Sequence, residues 1–237
     1  MELVEYLDEK GRSPFENWFK RINAQAAAKV TTALVRLEGG NTSNIKSVGG
    51  GVHEVKIDFG PGYRVYYGYD GPKVVILLAG GTKKARKKIL RQQKRDGPIT
   101  RFEKRKKSEK GGQKMPLTRE FKETVMLRAK QDPDFRQELI VEATNAFLDG
   151  DIDTGKRLIR DYLNATEALP SIARELKQNE KSIRRMVGSR GNPTLKNFAN
   201  LLNACKRRES LELHVCRELI RCYPNPSVNK DNRTLNF

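Results

Sequence analysis

Two alternating segments, 53–59 and 63–69, place the residue types that handle phosphate on one side of a sheet. Side chains of an extended chain alternate between faces, so Glu54 and Lys56 share a face with Arg64 and Tyr66. Val55, Ile57, Tyr63, Val65 and Tyr67 take the other face and can pack beneath helices. Arg64 carries a planar fork that matches phosphate oxygens, Lys56 adds a point charge, and Tyr66 offers a ring on which a base can stack. Lys83, Lys84, Arg86, Lys87, Lys88 and Arg91 follow Gly80-Gly81 in a basic stretch with helical character to about residue 95. Together these residues form a cationic, aromatic-flanked surface suited to a polyanion, most simply RNA or DNA.

The charge balance points the same way. The 237 residues include 47 Lys and Arg against 29 Asp and Glu, a net charge of +18. Residues 83–114 carry 15 basic side chains against 3 acidic ones, a density that repels itself unless an anion neutralises it. The bland alternative is a solvated basic tail. The longest clean apolar run, Val74 to Ala79, falls far short of the ~20 residues that span a bilayer. The acidic N-terminus, Met1-Glu2-Leu3-Val4-Glu5, lacks the character of a signal peptide, so a cytoplasmic protein without membrane contact is expected. Cys205, Cys216 and Cys222 are too few and too late for a disulfide framework.

No metal and no cofactor are expected. Asp149 to Gly155 imitates a calcium loop but has Thr154 and Arg160 where Gly and Glu are required, and it reads as a turn between helices. Cys205, His214, Cys216 and Cys222 lack the paired short spacing of a zinc site.

The elements that must position the basic face are legible. A short strand, Glu2 to Leu7, precedes two helices. Ser13 can cap the first, with Pro14 at its first position and Glu16 completing a capping box; Phe15, Trp18 and Phe19 lie on one face. The second helix runs from Ala26 through Leu37 until Gly39-Gly40. Strands 53–59, 63–69 and 73–79, joined by Gly60-Pro61-Gly62 and Asp70-Gly71-Pro72, make an antiparallel meander. His53 alternates onto the core side with Val55, which favours a structural role over that of a general base; Glu54 is the other candidate base. Residues 97–114 read as a basic linker.

From Thr118 onward the pattern is helical, with expected helices at 118–131, 133–148, 154–164, 169–176, 180–187 and 194–205. The helices 169–176 and 180–187 flank a three-residue turn, with small Ala173 where the two must approach and Asn179 as cap of the second. Leu195, Phe198, Leu201 and Leu202 supply a third, core-forming helix. This arrangement directs Gln178, Lys181, Ser182, Arg184, Arg185 and Arg190 outward as DNA-contacting candidates. Its bland counterpart is a helical hairpin with a solvated basic face.

Residues 115–215 resemble the antidote protein of a bacterial addiction module, with a Cro-like helix-turn-helix at about 168–205. The resemblance is carried by Ser171-Ile172-Ala173-Arg174-Glu175-Leu176, Ser182-Ile183-Arg184-Arg185-Met186 and Gly191-Asn192-Pro193-Thr194-Leu195. Residues 1–96 resemble the partner toxin, of the HigB-like branch of the RelE/ParE superfamily. Here the carrying run extends from Gly51 to Tyr67, including His53-Glu54-Val55-Lys56 and Gly60-Pro61-Gly62-Tyr63-Arg64, and resumes at Leu77-Leu78-Ala79-Gly80-Gly81-Thr82-Lys83-Lys84.

The expected fold is therefore an α+β RelE-like domain (1–96: two helices on an antiparallel sheet plus a basic C-terminal helix), the linker, an all-α helix-turn-helix domain (115–215) and a tail (216–237). The toxin resemblance implies metal-independent, ribosome-dependent mRNA cleavage, in which a ribose 2′-oxygen attacks the neighbouring phosphate. Arg64 would clamp that phosphate, Lys56, Lys83, Lys84 and Tyr66 would complete the catalytic set, and Arg86, Lys87, Lys88 and Arg91 would hold RNA. The antidote resemblance implies operator DNA as a second partner, a homodimer, and toxin–antitoxin contact in cis or in trans. Met115-Pro116-Leu117-Thr118 after Lys110-Gly111-Gly112-Gln113-Lys114 has the character of a translation start, so the chain reads as a fusion of two modules. Two alternatives stay open: a toxin acting on DNA gyrase, and a non-enzymatic DNA-binding regulator.

Overall fold

Hydrophobic alternation in the first half builds a sheet, and helical periodicity in the second half builds a bundle that leans on it. The structure, a computed structural model, describes residues 1–8, 10–71, 74–87, 91 and 118–213. The first half contributes β1 (Glu2–Tyr6), α1 (Pro14–Phe19), α2 (Ala24–Glu38), β2 (Ile45–Gly49), β3 (Val52–Ile57), β4 (Tyr63–Asp70) and β5 (Val74–Thr82). The second contributes β6 (Thr118–Glu120), α3 (Phe121–Gln131), α4 (Pro133–Leu148), α5 (Ile152–Thr166), α6 (Leu169–Glu175), α7 (Glu180–Met186) and α8 (Leu195–Arg208). The described residues thus form a mixed α/β structure with a six-stranded sheet and eight helices.

The strand order is β2-β3-β4-β5-β1-β6. The expected meander is present: β3 pairs antiparallel with β4, and β4 with β5. The sheet is nevertheless mixed rather than antiparallel, because β5 ends the meander parallel to β1, the first strand of the chain. Strand β2 was not expected; only Ile45 and Val48 mark it in the sequence, and pairing with β3 supplies the rest.

Local capping explains the helix starts. Ser13 Oγ accepts from the amide of Glu16, Asn23 caps α2 and Asp132 caps α4. Glu16 does not close the capping box; its carboxylate pairs with Lys20 and Arg119 instead. Asp151 caps α5 and holds Arg36 at 2.7 Å, so the calcium-like segment is a helix-connecting turn.

One apolar core joins the halves. Phe15 and Phe19 of α1 meet Phe121 and Phe135 of the second half, with ring centroids 5.7 to 6.1 Å apart across the junction. Each fully buried aromatic of this kind contributes on the order of 2 kcal/mol. Ion pairs surround the contact: Lys29 with Glu142 at 2.7 Å, and Arg157 with Glu38 at 3.0 Å. Residues 118–120 depart from the expected helix start and add β6 to the free edge of β1, so the second half is not purely helical. Leu195 also departs from expectation. It is 69% exposed, while Phe198, Leu201 and Leu202 are buried as expected. No helix of the described residues is long and apolar enough to cross a membrane.

Candidate functional site

Strand alternation divides the sheet as its sequence requires. Val55, Ile57, Tyr63, Val65 and Tyr67 face the helices and enter the main core. His53 lies on this side too, stacked on Tyr67 with centroids 5.4 Å apart, which fits a packing role. Glu54, Lys56, Arg64 and Tyr66 occupy the opposite face, with Glu54 across from Tyr66 and Lys56 across from Arg64.

That face is more buried than a simple basic surface. Arg64 is only 7% exposed and Glu54 5%. Arg86, at the start of the basic helical stretch, grips Glu54 with both arms of its fork: Nε donates to Oε2 at 2.9 Å and Nη2 to Oε1 at 3.1 Å. Arg64 Nε sits 3.7 Å from the same Oε2, beyond hydrogen-bond length. Arg64 Nε and Nη1 consequently have no hydrogen-bond acceptor among the described residues, although the side chain is nearly enclosed. A buried guanidinium with unsatisfied donors is costly and favours an incoming anion.

The β3–β4 turn lies beside Arg64. Gly62 adopts φ +74°, and a side chain there would lie 4.0 Å from Arg64 Nη1. The amide of Lys83 donates to the Gly62 carbonyl at 2.8 Å, which brings the start of the basic stretch against this turn. Lys83, Lys84, Lys87 and Arg91 are exposed, whereas Lys88 lies outside the described residues. Lys56 is exposed and paired with Asp58 at 2.8 Å.

Two expected roles change. Tyr66 is fully buried among Val4, Tyr6, Val52 and Leu78, so it offers no ring for a base to stack on. Its hydroxyl has no partner among the described residues, and burial, reinforced by Glu54, pushes its pKa up to about 12. The reason is the second small core on this face, which β1 closes through Val4 and Tyr6. Arg86 is committed to Glu54 rather than free for RNA, and that hydrogen bond raises its own pKa further.

Residues 17–97 match the family described as Phage derived protein Gp49-like (DUF891). An uncharacterized protein of Haemophilus influenzae is 42% identical over 81 residues, which cover 34% of this chain and 82% of that protein. The chain belongs to the Gp49-like family. This is a family of RelE/HigB-like toxins, and its matched region contains Glu54, Arg64, Tyr66, Lys83 and Arg86. No solved structure matches the Gp49-like chain.

In the second half, α6 and α7 are joined by a short turn, and Asn179 Oδ1 accepts from the Lys181 amide at 2.8 Å. Ile172, Ala173, Ile183 and Val187 bury the contact between them. A concavity of about 480 Å³ beside α7 brings together Gln178, Ser182, Arg185 and Arg190. Lys181 and Arg184 are exposed but do not line it; Arg184 lies 3.9 Å from Glu180. Asn197 and Thr194, at the start of α8, were missed by sequence reasoning and complete its wall. The Gly191-Asn192-Pro193 run was the available signal, because it returns the chain to this spot.

Sequence reasoning also missed the Glu5–Arg119 pair that links the halves, 3.0 Å long with Glu5 fully buried. Its signal was present in β1: Glu5 alternates with Leu3 and Leu7, an acid in an apolar row.

Proposed function

We propose that the first half is a metal-independent, mRNA-cleaving toxin acting at the ribosome, and that the second half is a helix-turn-helix antitoxin that binds operator DNA and restrains it. Membership of a toxin family supports the class of activity. The single observation that carries the site is Arg64, a nearly buried guanidinium with two unsatisfied nitrogens on the sheet face away from the helices. In RNA cleavage by an internal 2′-oxygen, negative charge grows on the non-bridging phosphate oxygens as the 2′-oxygen bonds to phosphorus, and passes to the 5′-oxygen as the P–O5′ bond breaks to leave a 2′,3′-cyclic phosphate. In this reading Arg64 receives that charge in a low-dielectric setting, with the exposed Lys83 and Lys84 lending field.

The described residues of the second half dock on α1, α2 and the β1 edge, the opposite side from Arg64. Restraint by those residues does not run through Arg64, although Glu142, Asn145 and Ala146 of α4 line one pocket with Lys56. For the second half, Lys181, Arg184, Arg185 and Arg190 carry phosphate contacts, and Gln178 and Ser182 reach base edges.

The test is inducible expression of the full chain and of residues 1–96, each beside Arg64→Ala, with mapping of cellular mRNA 5′ ends. New ends inside translated codons, absent with R64A, are expected from an unrestrained first half. Intact mRNA in cells that stop growing would overturn cleavage as the activity. Intact mRNA with normal growth would overturn the toxin reading.

A further inference from the structure

Glu54 stands between two guanidinium groups, within ion-pair range of both, but accepts hydrogen bonds only from Arg86. Both of its oxygens are held by Arg86, and Arg64 is left 3.7 Å away with Nε and Nη1 unsatisfied. Removing Arg86 would change this balance. A buried carboxylate beside a buried, unsatisfied guanidinium closes into a bidentate pair, because charge-assisted hydrogen bonds are strongest where water is excluded. Tyr66, across the strand pair, offers no competing hydrogen bond.

We infer that Arg86 is a positioning residue: by occupying both oxygens of Glu54 it holds that carboxylate off Arg64 and keeps Arg64 open as a phosphate receptor. This rests on the reading of Arg64 as the phosphate-binding group. The sequence places the parts for it. Glu54 and Arg64 share a face on adjacent strands, and the Lys83–Gly62 backbone bond anchors the stretch that carries Arg86 beside them. A Cβ at Gly62 would lie 4.0 Å from Arg64 Nη1, so the glycine keeps this side of the enclosed guanidinium free of a side chain. Arg86 keeps a partly exposed side chain while its fork restrains the buried Glu54.

The experiment is a mutant cycle in the full chain, read by binding of a short 2′-O-methyl RNA, which lacks the free 2′-hydroxyl and so reports affinity without cleavage. Other basic residues also bind RNA, so the quantity read is the loss caused by R64A in each background. R64A is expected to weaken binding about tenfold in the parent, the scale of one charge-assisted contact of ~1.4 kcal/mol. In Arg86→Ala the same substitution should cost little, because Glu54 already occupies Arg64. In the double variant Glu54→Gln/Arg86→Ala the tenfold cost should return, since a neutral amide does not quench Arg64. Arg86→Lys keeps the charge without the fork and should give an intermediate cost. This series also separates the effect from misfolding, because a merely disrupted site is not rescued by a second substitution. An undiminished R64A cost in R86A, or no return of it in E54Q/R86A, overturns the positioning role alone. No R64A cost in the parent overturns the phosphate-receptor reading, and the positioning role with it.

Discussion

Arg119 and Glu5 face each other across the β1–β6 pair, with Arg119 Nη2 3.0 Å from Glu5 Oε2. The same nitrogen reaches Thr124 Oγ1 at 2.9 Å and Glu16 Oε2 at 2.8 Å. A residue of the second half thus supplies the counterion for a carboxylate sealed in the first. Arg119→Met leaves that carboxylate uncompensated and should lower stability by about 3 kcal/mol, measured as the urea midpoint at neutral pH.

The same pair predicts a pH dependence. Burial raises the Glu5 pKa above its ordinary value, although Arg119, Ser13 and Thr124 pull it down. As pH rises past the ordinary carboxylate range, the unfolded chain gives up its proton before the folded one does. Stability contributed by Glu5 therefore falls across that interval and levels off above the folded pKa. Asp161 is raised by burial in the same direction, so the Glu5 share is the difference between the parent and Glu5→Gln. Asp8, Glu16 and Asp151 are lowered and act in the opposite sense, so the reading is relative to the parent: from pH 4 to 8 the urea midpoint of E5Q should gain on the parent's, and that of R119M should lose against it.

Arg128 ties the loop after α1 to the second half. It donates to the carbonyls of Phe19 and Ile22, pairs with Asp132, and lies over the rings of Phe19 and Phe135 at 5.1 and 5.0 Å. Lysine lacks the planar fork for these contacts. Arg128→Lys should cost about 2–3 kcal/mol by thermal or urea unfolding, nearly as much as Arg128→Ala.

Tyr66→Phe distinguishes a buried spacer from a catalytic group. Its hydroxyl is enclosed and unpartnered among the described residues. Its removal should leave stability unchanged or raise it by up to about 1 kcal/mol, and should preserve growth arrest by the unrestrained toxin half. Loss of arrest in a well-folded Y66F would restore Tyr66 to the catalytic set.

Gly191 lies where a Cβ would come within 2.3 Å of the carbonyl oxygens of Arg185 and Met186. Backbone cannot yield as a flexible side chain does, so Gly191→Ala should displace the loop that Lys156 holds through the Gly191 carbonyl at 2.6 Å. The expected result is a loss of about 1–3 kcal/mol and, on the proposed DNA-binding role of the second half, weaker retention of operator DNA in a gel-shift measurement. Arg185→Ala should weaken binding without destabilising the fold, because its side chain is exposed.

The residues by themselves determined the local elements and the faces. Alternation around Val55 and Val65 assigned Arg64, Glu54 and Lys56 to one side of the sheet, because period-two geometry leaves no other choice. The caps at Ser13 and Asn179 followed from side-chain oxygens that can accept helix-start amides. Tertiary structure decided what those elements meet. Tyr66 is buried because β1, distant in sequence, lays Val4 and Tyr6 beside it. Arg86 belongs to Glu54 because a backbone bond between Lys83 and Gly62 holds the segment from Lys83 to Lys87 beside the sheet. Thr118 to Glu120 form a strand because β1 presents an open edge and a buried acid that Arg119 can satisfy. Such choices depend on hydrogen bonds and counterions from remote segments, which periodicity and propensity along one stretch of chain do not encode.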